Sequence, residues 1–231
     1  MKIKIFADGA NKDSILEMNN NSIIEGFTTN PSLMRKAGVN DYEEFAKEIL
    51  KLVIDKPISF EVFADDFEQM EAQARLIASW GENVYVKIPI TNSKRDSSSD
   101  LIQKLSKEGI KLNITAIFTL EQVKEVAISL KNGSSAFVSI FAGRIADTGI
   151  DPLPEMQAAL KLLEPIPNAE LLWASPREVL NIYQAESIGC PIITATNDII
   201  KKLDLKGKNL SDFSQETVEM FYRDSKEAGY K

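Results

Sequence analysis

Val84-Tyr85-Val86-Lys87-Ile88-Pro89-Ile90 is an apolar run broken once, at its centre, by a lysine. A β-branched, aromatic-containing run of this length reads as a buried strand. A lysine inside it must desolvate its ammonium, which is unfavourable unless the group is paired or gives up its proton. A neutral amine in a buried pocket is a nucleophile for carbonyl carbon, the chemistry of a Schiff-base lysine.

Working outward, seven similar runs flank this one, at 3–7, 24–28, 58–63, 111–118, 136–141, 170–174 and 191–195. Helical patterns lie between them, at 41–54, 66–80, 98–108, 119–131, 152–164, 176–187 and 196–203. In the second of these, Phe67, Met70, Ala74, Ile77 and Ala78 share one face. Strand–helix alternation implies a parallel sheet, and eight βα units in 231 residues imply a closed (β/α)8 TIM barrel of the α/β class. The runner-up, an open doubly wound sheet, would carry a glycine-rich turn after its first strand. The text there is Ala7-Asp8-Gly9-Ala10-Asn11, and no P-loop occurs. No linker divides the chain, so 1–231 reads as a single barrel domain with 208–231 as a C-terminal helical extension. That extension carries Phe213, Val218, Phe221 and Tyr222, and reads either as a lid or as an arm that docks on a neighbouring subunit.

Composition narrows the chemistry. Net charge is −7, which argues against nucleic-acid binding through a basic face. The chain has no histidine, which excludes a Ser-His-Asp triad, a Cys-His pair and a histidine-held metal. Acid–base work falls to Asp, Glu, Lys, Tyr or water. The one cysteine, Cys190, allows neither an internal disulfide nor a zinc ribbon, so a reducing, cytoplasmic setting is expected. The opening MKIKIFADG is too short for a secretory apolar region, and no run approaches a membrane span. No metal and no cofactor is expected.

In such a barrel the site lies at the C-terminal ends of the strands. Those ends carry Asp8; Thr28, Thr29 and Asn30; Glu61; Lys87; Asn113 and Thr115; Ser139 running on to Arg144; and Ser175 with Arg177. Each has a plainer reading. Asp8 suits a turn, and Asn30 before Pro31 suits a helix cap. Glu61 and Lys87 suit a structural ion pair, and the arginines suit rim salt bridges. Taken together they suit an aldol reaction through an imine: a lysine to form it, one carboxylate to move a hydroxyl proton, and a second carboxylate with a threonine to place water. Ser175 and Arg177 suit an anion.

The motifs FADGAN, GFTTNPSL, SFEVF, VKIPIT, NITAIF, FVSIFAGRIAD and WASPRE run nearly the whole chain. They resemble the small transaldolases and the fructose-6-phosphate aldolases grouped with them. The resemblance implies a Schiff base at Lys87, proton transfer by Asp8, substrate hydroxyls held by Asn30, and a water held by Glu61 and Thr115. Thr29, Asn113, Ser139 and Phe141 would line the substrate site, and Arg144, Ser175 and Arg177 would bind the phosphate. It further implies sugar-phosphate substrates of the pentose phosphate pathway, and a homo-oligomer, pentamer or decamer, whose C-terminal helices contact neighbours. Glu61 and Phe141 resemble the transferase branch, whereas the aldolase branch carries Gln and Tyr there. Gly9, Ala142-Gly143, Pro176 and the loop 147–152 depart from the family pattern. They leave open an aldolase that releases dihydroxyacetone, or a tail such as a sulfonate. A catalytically dead, sugar-phosphate-binding barrel is the reading from another class, against which the intact Asp8, Glu61 and Lys87 set speaks.

Overall fold

The eight runs become eight parallel strands: β1 (Lys4–Asp8), β2 (Ile24–Thr28), β3 (Ile58–Glu61), β4 (Val84–Pro89), β5 (Leu112–Ile117), β6 (Ala136–Ile140), β7 (Ala169–Trp173) and β8 (Ile192–Thr196). In this computed structural model, which describes residues 1–230, they close in sequence order into a barrel, β8 pairing back onto β1. Strands flanked by helices are buried on both faces, which is why most read as continuous apolar text.

The helices are α1 (Lys12–Asn19), α2 (Pro31–Lys36), α3 (Tyr42–Leu50), α4 (Phe67–Ala78), α5 (Ser99–Lys107), α6 (Leu120–Ser129), α7 (Ala142–Asp147), α8 (Leu153–Leu163), α9 (Leu180–Ser187), α10 (Asn197–Ile200) and α11 (Leu210–Glu227). Three of them, α1, α2 and α7, lie outside the expected helical segments. Each is short; α1 buries only Ile15 and Met18, and α2 only Met34, too little apolar text to show a period. The helix expected from 176 starts instead at Leu180. Ser175 holds a left-handed φ of 61° and Pro176 follows it, which keeps the chain out of a helix there.

The chain divides into two compact units, Met1–Ile200 and the residues from Lys201 onward. The second opens with a 3-10 turn (Lys201–Leu205) and continues into α11, capped by Asn209, whose side chain accepts from Ser211 N–H at 2.8 Å. Of the extension expected over 208–231, Leu210–Glu227 is helical, and Lys231 lies outside the described residues. Leu210, Phe213, Val218, Met220, Phe221 and Tyr222 on it are exposed. No helix among the described residues is long and apolar enough to cross a membrane.

Candidate active site

Side chains alternate across a strand, so every second residue points down the barrel axis. Phe6, Phe137, Leu172 and Ile192 form an apolar plug there. The Phe137 ring meets Phe6 edge-on at 5.4 Å and stacks on Tyr85 at 4.0 Å. Gly26 makes room for the plug, because a Cβ at that position would lie 2.6 Å from the Phe6 ring. Two residues further along the same strands the text turns polar: Asp8, Thr28, Lys87, Ser139 and Thr194. With Glu61, Asn113 and Thr115 they floor a cavity of about 280 Å³ at the C-terminal mouth.

Lys87 is 7% exposed. Its Nζ donates to the Thr29 carbonyl at 2.9 Å and lies 3.5 Å from Glu61 Oε2, the residue opposite it on β3. Asp8 Oδ1 accepts from the Thr28 hydroxyl at 2.8 Å and Oδ2 from the Asn30 amide at 3.3 Å. Asn30 serves two ends at once. Its Oδ1 caps α2 by accepting from Leu33 N–H at 2.9 Å, and this turns its NH2 toward Asp8. The cap reading of TTNPS holds, and the same side chain lines the cavity.

Thr28 and Thr194 hydroxyls lie 2.6 Å apart. Thr28 spends its proton on Asp8, so Thr194 donates to Thr28 and keeps its lone pairs for the cavity. Ser139 donates to Asn113 Oδ1 at 2.6 Å, and Asn113 donates to Ser59 Oγ at 2.9 Å. Thr115 Oγ1 is buried without a protein hydrogen-bond partner. A buried hydroxyl so placed is suited to hold a water or a substrate hydroxyl.

Burial raises the Asp8 carboxyl above its ordinary value, against the opposing pull of Lys87, Thr28 and Asn30. Burial raises Glu61 likewise, Lys87 opposing and Asp8 adding to it. Two buried acids thus face one ammonium. A carboxyl raised on folding binds more protons in the native state, so its contribution to stability falls as pH climbs from 3.8, the ordinary Asp value, through the raised one. Asp8→Asn leaves Lys87 and Glu61 as a neutral pair. It should raise the thermal midpoint at pH 7 by a few degrees while activity collapses, and flatten the fall in stability between acid and neutral pH. Melting curves across pH check this; an unchanged pH slope would show that Asp8 is not a strained acid.

The rim is built by two interlocked loops. Gly143, in α7, approaches the next loop so closely that a Cβ there would sit 1.6 Å from the Ser175 carbonyl oxygen. This contact keeps Arg144 and Ser175 on one side of the mouth. The Arg144 guanidinium lies 5.0 Å over the Phe141 ring, and both line the cavity. Ala116 and Ser175, both in the left-handed region at φ 59° and 61°, line it too. Backbone strain of this kind gathers at functional sites.

Two of the expected residues stand apart. Arg177 is not among the residues that line the cavity. Its Nε donates to Asp147 Oδ1 at 2.8 Å, Nη2 donates to the other oxygen, and Nη1 reaches Ser175 Oγ at 3.0 Å. The guanidinium hydrogen bonds hold the Asp147 carboxyl below the ordinary range. Thr29 is fully buried and turned away, its hydroxyl donating to the Ser59 carbonyl at 2.9 Å. It serves the site through its own carbonyl, and Thr28 takes the inward place. Thr194 was absent from the expected set, although its position two residues beyond Ile192 on β8 is the signal that finds it.

The model of the transaldolase/fructose-6-phosphate aldolase family matches residues 5–231. The chain belongs to that family. A probable transaldolase of Thermoanaerobacter sp. (strain X514) is 36% identical over 230 residues, covering 99% of this chain and all (100%) of the relative. One from Methanococcus maripaludis (strain C7 / ATCC BAA-1331) is 37% identical over 202 residues, 87% of this chain and 89% of the relative. Among solved structures, dihydrodipicolinate synthase from Rhodopseudomonas palustris superposes with a TM-score of 0.61 at 13% identity, over 94% of this chain and 79% of that one. A 3-hexulose-6-phosphate synthase gives 0.59 at 14%, over 85% and 90%. At such identities the likeness concerns the barrel alone. Family membership and the names of these relatives make this an enzyme of the aldolase/transaldolase kind.

Proposed function

We propose that the protein is a transaldolase working through an imine at Lys87. The observation that carries this is the Lys87 amine itself: buried, oriented by a carbonyl, with Glu61 beside it and Asp8 lining the same cavity. The neutral amine adds to the keto carbon of a ketose phosphate. Glu61 gives a proton to the carbinol oxygen, which leaves as water held by Glu61 and the Thr115 hydroxyl, and a cationic imine forms. Asp8 takes the C4 hydroxyl proton, the C3–C4 bond breaks into the imine, and an aldose phosphate departs. The enamine left on Lys87 then attacks an acceptor aldehyde, and the same steps run in reverse. Raised carboxyls suit this exchange, because their proton affinity lies nearer that of the groups they serve.

Ketose phosphate with borohydride should add one reduced dihydroxyacetone unit, on Lys87 alone. A label on another lysine would sink the assignment. The tail of the sugar falls to Arg144, Ser175 and Arg177. Arg177→Ala should raise KM for a phosphorylated donor about tenfold or more and leave an unphosphorylated analogue nearly unchanged, since a charge-assisted contact is lost only by the former. Equal changes for both would make Arg177 a structural partner of Asp147. The same comparison with a sulfonated ketose addresses the alternative tail. We further propose a ring-shaped homo-oligomer in the cytoplasm, supported by the exposed apolar residues of α11.

A further inference from the structure

The bonding between β2 and β3 changes partners at the site. The register covers Phe27↔Ile58 and Thr28↔Ser59. On that edge Phe27 N–H donates to the Pro57 carbonyl at 2.8 Å and Thr29 N–H to the Ser59 carbonyl at 3.2 Å. In a parallel ladder the next bond runs from Glu61 N–H to the Thr29 carbonyl. Both halves of that bond are reassigned. The Thr29 carbonyl accepts from Lys87 Nζ. Glu61 N–H donates to the Tyr42 hydroxyl at 2.6 Å, and the hydroxyl donates to the Glu61 carbonyl at 3.1 Å. One phenol therefore satisfies the whole edge of Glu61 that faces β2.

Tyr42 is placed for this by its neighbours. It opens α3, where Asp41 caps the helix by accepting from Glu44 N–H at 2.9 Å. Its ring rests on Phe60, Phe63 and Trp80 at centroid distances of 6.1, 4.6 and 5.5 Å. Burial pushes its hydroxyl well above the usual range. It does not line the cavity.

We propose that Tyr42 is a positioning residue whose hydroxyl replaces the Thr29 carbonyl at the end of β3 and thereby releases that carbonyl to hold the Lys87 amine. A buried backbone N–H does not stay unpaired. Without the phenol, Glu61 N–H turns to the Thr29 carbonyl, its natural ladder partner, and competes with Lys87 for it. The amine then loses its aim, and the Glu61 carboxylate moves with its backbone. The inference rests on the reading of Lys87 as the imine-forming lysine.

The test uses the full chain with Tyr42→Phe, which keeps the ring and removes the hydroxyl. The rate of borohydride trapping at Lys87 under saturating ketose phosphate should fall about tenfold per folded molecule, as a small misplacement of a reacting group requires, and kcat with it. KM for the donor should stay within about twofold, because the anion contacts are untouched. Trp80→Phe loosens the same aromatic cluster but keeps the phenol. It should lower the thermal midpoint and leave the trapping rate per folded molecule as it was. If Tyr42→Phe folds poorly, 3,5-difluorotyrosine at position 42 keeps the shape and weakens the acceptor, and should give an intermediate rate. Native trapping in either Tyr42 variant, or equal falls in Tyr42→Phe and Trp80→Phe, overturns the proposal. Failure of the unmodified protein to be trapped at Lys87 overturns the imine reading first, and this inference with it.

Discussion

Lys87→Arg should abolish both turnover and the borohydride adduct, lowering the rate by a factor on the order of 10⁴ or more. The expectation follows from what the two side chains share and what they do not. Both place a cation against the Thr29 carbonyl and Glu61, so the barrel keeps its buried charge balance and the variant folds. Only lysine can lose its proton and become a nucleophile; guanidinium stays charged throughout the working range. Lys87→Met would be as inactive but would behave differently on heating. It leaves Asp8 and Glu61 without their shared cation, so the fold is weakened, more at neutral pH than in acid, where both carboxyls can take up protons. Residual activity in Lys87→Arg, measured as aldose phosphate formed per enzyme, would mean that no imine at this lysine is needed.

Lys87 and Glu61 were legible in the sequence because a charge inside apolar text is anomalous. Their pairing across β3 and β4 followed once the strands were placed in order. The barrel was legible for a related reason: eight runs buried on both faces stand out against amphipathic helices. The residues that escaped notice are those that break no pattern. Threonine is at home in a strand, so Thr194 reads as ordinary β text until register puts it beside Thr28. Thr28 and Thr29 are adjacent in sequence, and only the two-residue alternation set by Phe6 and Gly26 decides which faces in. Tyr42 lay hidden because its partners are backbone groups of Glu61, which no side-chain pattern reveals. Arg177 was found by type and position, but its commitment to Asp147 depends on a loop that carries no periodic signal.

Turnover of a ketose phosphate should be slow alone and rise by about a hundredfold or more when an acceptor aldose phosphate is supplied, because in the proposed mechanism the enamine on Lys87 otherwise has no fast exit. Release of free dihydroxyacetone requires protonation of the enamine carbon and then attack of water on the imine. The second step can use the water that Glu61 and Thr115 would hold during transfer, so the first is the slow one, and it needs a proton donor on the Phe141 side of the cavity. Phe141 lines that side and carries no hydroxyl, and the guanidinium over its ring is a poor acid. Phe141→Tyr adds a hydroxyl at that wall without changing the ring. It should raise the acceptor-independent rate about tenfold, toward an aldolase, and lower transfer to the acceptor as water begins to compete. The measurement is dihydroxyacetone released against aldose phosphate transferred, with acceptor concentration varied. Equal release with and without acceptor in the unmodified protein would make it an aldolase, and the side chain at 141 would then not be what sets the fate of the enamine.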